Sequence, residues 1–105
     1  MRILWVDDER TPDFEAVIAR TSEEALSLIS DGWDEVWLDH DLGGEDTSRP
    51  IVSFLEEQSI IYGIVFEIGK FFVHSKNPVG AKWLADGIDK SGYRVMRVEL
   101  PSLSK

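Results

Sequence analysis

The chain has two histidines, and both follow an apolar run. His40 lies in "VWLDHDLGG" and His74 in "VHSKNPVG", so that in each place a polar cluster and then a glycine come after the apolar residues. An imidazole titrates near neutral pH and can accept or donate a proton there. Two of them beside one phosphate could serve as general base and general acid. Each also has an ordinary alternative: His40 could cap a surface turn, and His74 could be a buried histidine bonded to the backbone.

Acidic residues form the second group that could do chemistry. Asp7 and Asp8 come directly after "RILWV", and Asp39 ends "EVWLD". Carboxylate oxygens are ligands that Mg²⁺ prefers, but acids at such places also cap helices and occupy loops. Three carboxylates close together would repel an anionic substrate unless a cation lay between them. A phosphate at this place would therefore require a divalent cation or a protonated histidine.

A third group precedes a predicted helix. Ser75, Lys76 and Asn77 stand before Pro78, and the free N–H groups of a helix N-terminus favour anions. Lys76 could supply positive charge to a phosphate or could point into solvent. The pair at residues 43–44, two glycines, permits a tight loop close to a ligand, although no lysine and serine follow as in a Walker phosphate-binding loop.

Alternating strands and helices must position these groups. Thr21 is a predicted N-cap with Glu24 at capping-box spacing, and Asn77 with Pro78 predicts another helix start. The predicted strands cover residues 2–6, 14–20, 35–39, 70–75 and 93–100. The first predicted helix begins after Thr21 and ends at Gly32. The second begins near Pro50 and ends before residue 59, and the third begins after Asn77 and ends at Ser91-Gly92. Residues 59–69 fit either a longer helix or an extra strand.

The order β-β-α-β-α-β-α-β predicts a mostly parallel α/β sheet. Ligands of such sheets bind beyond the carboxyl ends of the strands. The acidic pair after the first strand, the Asp-His-Asp cluster after the third and the His-Ser-Lys cluster after the fourth all lie at those ends. The sequence therefore predicts one functional rim.

Composition limits the classes of function. The 105 residues allow one domain, residues 1–105, and the absence of cysteine suits a reducing compartment. No apolar run approaches the length of a membrane span, and the N-terminus lacks the pattern of a signal peptide, so we expect a soluble, cytoplasmic protein without membrane contact. The net charge of −9 argues against an extended surface for duplex nucleic acid, but not against a site for one nucleotide or phosphate.

The motifs resemble those of a known family. "LWVDDE" followed by "VWLDHDLGG" is similar to the response-regulator receiver domain over nearly the whole chain. The resemblance implies that Asp7 and Asp8 are the paired acids of a receiver, that Asp39 is its phosphate-accepting aspartate and that Ser75 is its hydroxyl residue. Receivers carry a lysine-proline pair after strand five, whereas this chain has Leu100 in "ELP".

A narrower family shares more of the sequence. "DHDLGG" and "HSKNPVGA" are similar to signatures of the cyclic-phosphate processing receiver-like domains, which are associated with RNA repair. This resemblance implies a reduced flavodoxin-like, receiver-like fold with a five-stranded parallel sheet of order 2-1-3-4-5. The first and last helices of a receiver are expected to be missing, because only a short loop joins the first two strands and only "SLSK" follows Pro101.

We therefore expect a phosphoesterase, a hydrolase that opens a cyclic phosphate on an RNA end or a nucleotide. His40 and His74 would be its general acid and base, since the ends of neighbouring strands lie about 5 Å apart. Asp39 would orient a histidine or join Asp7 and Asp8 in holding Mg²⁺ or another divalent cation. Ser75, Lys76 and Asn77 would bind the phosphate.

Two other functions remain open at this point. The chain could be a signalling receiver that is phosphorylated on Asp39, although Leu100 in place of lysine counts against it. It could also be an interaction protein that keeps the fold without chemistry. Intact mass after incubation with a small phosphodonor distinguishes the first, and a panel of cyclic phosphates distinguishes the second.

The predicted connectivity also implies an assembly. Right-handed crossovers in this strand order place all the helices on one face of the sheet, yet alternation gives the first and third strands apolar residues on both faces. Parallel sheets rarely leave a face to water. We therefore expect a homodimer through the helix-free face, with Trp5 and Trp37 as candidate anchors.

Overall fold

The structure, a computed structural model, describes residues 1–99 and contains one five-stranded sheet. Its strands are β1 (Ile3–Val6), β2 (Val17–Ala19), β3 (Trp33–Leu38), β4 (Ile68–Val73) and β5 (Val95–Arg97). Every pair is parallel, in the order β2-β1-β3-β4-β5. The predicted receiver-like α/β fold and its strand order are confirmed.

Three α-helices follow the strands. They are α1 (Ser22–Leu28), which continues into a 3₁₀ turn at Ile29–Asp31, α2 (Arg49–Tyr62) and α3 (Pro78–Lys90). The Thr21 side chain accepts a hydrogen bond from the Glu24 N–H, and the Asn77 side chain accepts one from the Gly80 N–H. Both predicted N-caps are confirmed, and Pro50 lies in the first turn of α2 as expected.

The ambiguous residues 59–69 divide between helix and strand. α2 extends to Tyr62 and ends at Gly63, whose φ of 65° is left-handed, and β4 begins at Ile68. Residues 63–67 form an irregular connection with no extra strand. Periodicity could not divide this stretch because nearly every residue in it is apolar.

Two strands are shorter than predicted. Phe14 lies outside β2 and instead packs its ring edge-on against Trp5, at 5.9 Å between centroids. Tyr93 lies outside β5, because its buried ring meets Phe71 edge-on and its hydroxyl accepts a hydrogen bond from the Phe66 N–H. The predicted end of the last strand at Leu100 and Pro101, and the expectation that no helix follows, lie outside the described residues. Within residues 1–99 no helix joins β1 to β2.

The core lies between one face of the sheet and all three helices. Alternate strand residues point into it, and helical residues meet them from the other side: Leu4, Val6, Val36, Leu38, Phe71, Val73, Ala25, Ile29, Ile51, Val52, Leu55, Ala81, Leu84 and Ile88. The helices therefore cover one face, as the crossovers predict. In the part of the chain that the structure describes, no helix is long and apolar enough to cross a membrane.

The opposite, helix-free face carries aromatic residues at matched positions. Trp5 pairs with Trp37 across β1 and β3, and Trp37 pairs with Phe72 across β3 and β4. Trp5 is only 1% exposed, since Phe14 covers it and its indole N–H donates to the Arg10 carbonyl. The expectation that Trp5 anchors a dimer was wrong, because the loop after β1 already buries it. The homodimer itself stays a prediction, since the structure contains one chain.

Candidate functional site

Three carboxylates converge at the carboxyl edge of the sheet. Asp7 and Asp8 follow β1 and Asp39 follows β3, and one oxygen from each lies within 4.8 Å of the others. The register explains this, because Val6 pairs with Leu38 and the Asp39 N–H donates to the Val6 carbonyl. The structure thus brings together the three residues that the sequence proposes as a metal site.

Asp7 is held rigidly, with one oxygen left open. Its Oδ1 accepts hydrogen bonds from the backbone N–H groups of Glu9 and Arg10, each at 2.9 Å. Its Oδ2 is buried and has no hydrogen-bond partner in the described part of the chain. A buried carboxylate oxygen without a partner is costly, so this atom is ready for a cation or a donor from a ligand.

The glycine loop after β3 approaches the same cluster. Gly43 has a φ of +90°, and a Cβ atom built on it would lie 2.9 Å from Asp8 Oδ2. Only glycine fits both the backbone conformation and the contact. This loop therefore packs directly against one of the three carboxylates.

The carboxyl group of Asp39 is a weaker acid than usual. Burial and the nearby charge of Asp7 raise its pKa from 3.8 to about 6, against the opposing effect of a hydrogen bond from the Ser75 side chain. The raised pKa shows that ionising Asp39 beside Asp7 costs free energy. A divalent cation between the carboxylates would remove that cost.

His74 lies beside these carboxylates on the helix-free side. Its ring stacks on Trp5 at 4.6 Å between centroids, and its Nδ1 lies 3.8 Å from Asp7 Oδ2. The residue is 1% exposed, and neither ring nitrogen has a hydrogen-bond partner among residues 1–99. Burial lowers the pKa of His74 from 6.5 to about 4, although the charge of Asp7 acts in the opposite direction. A neutral, buried imidazole therefore lies beside the acidic cluster, with its Nδ1 nearest to Asp7.

His40 has the opposite kind of surroundings. Its Nε2 accepts a hydrogen bond from Arg49 Nε at 2.9 Å, so Nδ1 carries the hydrogen and donates to Asp41 Oδ1 at 2.8 Å. The ring lies against α3, where a Cβ on Gly80 would come within 2.5 Å of it. Both nitrogens are used, and the ring packs among the helices.

The two imidazoles therefore do not meet as expected. His40 follows Leu38 on the helix-covered face, whereas His74 follows Phe72 on the helix-free face and stacks on Trp5. The ends of β3 and β4 are neighbours, but alternation sends the two side chains to opposite faces. The expectation that both histidines contact one phosphate did not take into account the face of the sheet to which each side chain points.

The predicted phosphate-binding residues are divided in the same way. Ser75 Oγ accepts a hydrogen bond from the Asn77 N–H and bonds to Asp39, so it joins the acidic cluster. The side-chain oxygen of Asn77 caps α3 and is committed to that role. Lys76 is exposed at the rim, where its ammonium group can reach an incoming anion.

A groove of about 760 Å³ opens next to His74, and it is lined by two arginines that sequence reasoning missed. Arg10, Lys76 and Arg97 line it together with His74 and Ser75. Arg10 stands three residues after the first acid of the pair, a position from which a side chain can turn back over the strand end. Arg97 became identifiable only once the register placed it beside Val73.

The sequence matches a family whose description is consistent with a phosphate site at this edge of the sheet. A family model of the cyclic-phosphate processing receiver domain matches residues 2–90. The chain belongs to that family. No curated protein matches the chain.

The residues present in this cyclic-phosphate processing receiver domain fit a divalent cation. Three carboxylate oxygens lie close enough to share one ion, and one of the Asp7 oxygens is buried and unpartnered. Hard cations of the magnesium type prefer such oxygen donors. The neighbouring cations of the groove suit the phosphate that the family description implies.

Proposed function

We propose that this domain is a phosphoesterase that opens a cyclic phosphate on an RNA end or a nucleotide. The family description suggests a cyclic phosphate as the substrate, and the residues of the site suggest how it would be hydrolysed. The observation that carries the proposal is the juxtaposition of a three-carboxylate cluster with a cation-lined groove at one strand edge.

The two halves of the site divide the work. Asp7, Asp8 and Asp39 would hold a divalent cation, which when bound would polarise a phosphate oxygen and offset negative charge. Arg10 and Lys76 would bind the remaining phosphate oxygens from the groove. A phosphate placed there would lie between the divalent cation and the basic side chains. These positive charges would offset the repulsion expected from the three carboxylates alone.

The proposed reaction adds water across one P–O bond. The water oxygen bonds to phosphorus, one ribose oxygen leaves with a proton from solvent, and a phosphate monoester results. His74 is the group suited to take the proton of the attacking water, because its ring nitrogens have no other partner and it lies beside Asp7. Base catalysis of this kind typically contributes 10²- to 10⁴-fold.

His40 supports the site in a different way. Its ring is fixed between Arg49 and Asp41, and its backbone N–H bonds to the Asp39 carboxylate. We propose that His40 is a positioning residue that orients Asp39, rather than the acid partner that the sequence suggests.

Turnover of a nucleoside 2′,3′-cyclic phosphate tests the function. The protein, stripped with a chelator and then given Mg²⁺ or Mn²⁺, should produce a nucleoside monophosphate detected by ³¹P NMR. Asp7→Asn, which keeps the Oδ1 contacts to the following N–H groups, should lose this activity. Absence of turnover with every divalent cation tried would exclude the proposal.

The same preparation examines the rival function. A phosphorylated receiver would gain the mass of one phosphoryl group on Asp39 when incubated with a small phosphodonor and Mg²⁺. A stable adduct on that residue, together with no hydrolysis of cyclic phosphates, would favour signalling over catalysis.

A further inference from the structure

The helix-free face of the sheet presents a stacked aromatic pair directly below the site. Trp37 and Phe72, which we call the aromatic platform, are paired in register across β3 and β4. Their rings stack at 4.2 Å between centroids with 19° between planes. Both are partly exposed, although Phe14 of the loop after β1 lies 5.7 Å from Trp37 between ring centroids.

The platform and the site lie on the same face of the sheet, and on both strands two residues separate them. Asp39 follows Trp37 by two residues, and His74 follows Phe72 by two residues. Residues two apart on a strand point to the same side, at a separation of about 7 Å along the strand. A ribose holds a nucleobase and its 2′,3′-phosphate apart by a comparable distance, so a phosphate in the groove would bring its base back over the platform.

Cations lie along this path, together with one acid, Glu35, whose carboxylate accepts a hydrogen bond from the Trp37 indole N–H. Lys70 Nζ lies 5.5 Å from the Phe72 ring centroid on the same face. Arg10 and Lys76 line the groove at the strand ends above it. In a chain with a net charge of −9, this local group of cations beside exposed rings is complementary to a nucleotide, whose bases stack and whose phosphates are anionic.

The exposed area of these two rings is too small by itself to hold a stable dimer. Tryptophan and phenylalanine bury about 150–250 Å² each, and both rings here are already partly buried. A stable protein interface takes about 800 Å² from each partner. Two partly exposed rings match one nucleobase better than a second copy of the chain.

We propose that the aromatic platform binds the nucleobase of the substrate, so that this domain acts on nucleoside cyclic phosphates and RNA ends rather than on base-free cyclic phosphates. The inference rests on the proposed function, since the phosphate in the groove positions the base. Trp37 and Phe72 are then specificity residues that do not touch the reacting atoms.

The test compares two substrates that differ only in the base. Adenosine 2′,3′-cyclic phosphate should be turned over with a kcat/KM about 5- to 150-fold above that of 1-O-methylribose 2,3-cyclic phosphate, as a stacking contribution of about 1–3 kcal/mol per base predicts. Phe72→Leu and, independently, Trp37→Leu should reduce this ratio toward one. Met96→Leu, at the position paired with Phe72 on β5, is the matched control and should keep the ratio.

A binding measurement separates this inference from the proposed function. The indole N–H resonance of Trp37 should shift on addition of adenosine 2′-monophosphate, and the affinity should fall in Phe72→Leu. A shift without turnover of either substrate would support the platform and exclude the phosphoesterase. Equal turnover of both substrates would support the phosphoesterase and overturn the platform. A dimer in sedimentation that adenosine 2′-monophosphate does not dissociate, and that Phe72→Leu abolishes, would also overturn it.

Discussion

His40 and His74 follow similar sequences, and the structure treats them in opposite ways. His40 has a hydrogen-bond partner on each nitrogen and packs against Gly80. His74 is as deeply buried, yet neither nitrogen has a partner. A buried polar group without a partner costs stability, so the fold stabilises the first ring and leaves the second available. This difference is the basis for our proposal that His40 supports the structure and that His74 takes part in chemistry.

The same contrast extends to the acids beside each ring. Asp41 is exposed and bonds to His40, whereas Asp7 is buried with one free oxygen near His74. Each Asp–His pair can be changed by the same substitution, which makes the two regions directly comparable.

The largest effect is expected from Asp7→Asn. Loss of a carboxylate ligand should weaken Mn²⁺ binding by at least about 10- to 100-fold, the size seen even for residues that only support a metal ligand, and turnover should fall with it. Asp41→Asn is the matched change in the other region and should leave both nearly unaltered. Titration calorimetry with Mn²⁺ measures the affinities. Equal losses in the two variants would remove the distinction between the pairs.

The second prediction concerns the pH dependence of stability without metal. The pKa of Asp39 is raised to about 6, so the folded state loses stability as the pH rises from about 4 to about 6. The pKa of His74 is lowered to about 4, so the folded state loses stability as the pH falls from about 6.5 to about 4. The two trends oppose each other and should partly cancel in the wild type.

Single variants should expose each trend. Asp39→Asn lacks the opposing trend, so on acidification from pH 6.5 to 4 it should lose more stability than wild type, with His74 contributing about 3 kcal/mol to the loss within the variant. His74→Gln should change in the opposite direction by a smaller amount, because Asp39 is only partly buried. Urea unfolding at several pH values in the presence of a chelator measures both. Parallel pH profiles for the two variants would show that the assigned shifts are wrong.

The third prediction tests the packing of His40. In Gly80→Ala the new methyl group would overlap the imidazole, where a Cβ would lie 2.5 Å from ring carbon Cγ. We expect a loss of about 1–3 kcal/mol in the free energy of unfolding, as for other overpacked sites. Val79→Ala, at an exposed position in the same helical turn, is the control and should change little. A Gly80→Ala protein as stable as the wild type would mean that His40 is free to move.

The smallest effect is expected from Arg49→Lys. The guanidinium donates to His40 and lies 4.6 Å from the Trp83 ring centroid. Lysine keeps the charge but not the planar contact, so we expect a loss of about 1 kcal/mol and unchanged Mn²⁺ affinity. Thermal unfolding together with the calorimetric titration checks it, and weakened metal binding in this variant would connect the two regions.

Much of the fold followed from local signals. The caps at Thr21 and Asn77 are side-chain rules that act within one turn, and apolar runs with short polar breaks identified the strands. Strand order followed from the family resemblance. The ends of β2 and β5 did not follow, because Phe14 and Tyr93 have strand-forming side chains that tertiary contacts use elsewhere.

The site was predicted in part. The carboxylates could be found because the ends of parallel strands meet at one edge whatever their side chains do. The placement of the histidines could not be found by the same rule, since the face of a residue after a strand depends on the strand's register and last residue. Arg97 was missed for a related reason: its closeness to β4 exists only in the folded sheet.

The central claim is that the reaction takes place on the His74 side of the sheet. The most direct test is the kcat for a nucleoside 2′,3′-cyclic phosphate in His74→Gln and His40→Gln, measured side by side with saturating Mn²⁺ after circular dichroism has shown both to be folded. We predict that His74→Gln loses about 10²- to 10⁴-fold and that His40→Gln stays within about 10-fold of the wild type. Equal losses in the two variants, or a larger loss in His40→Gln, would contradict the claim.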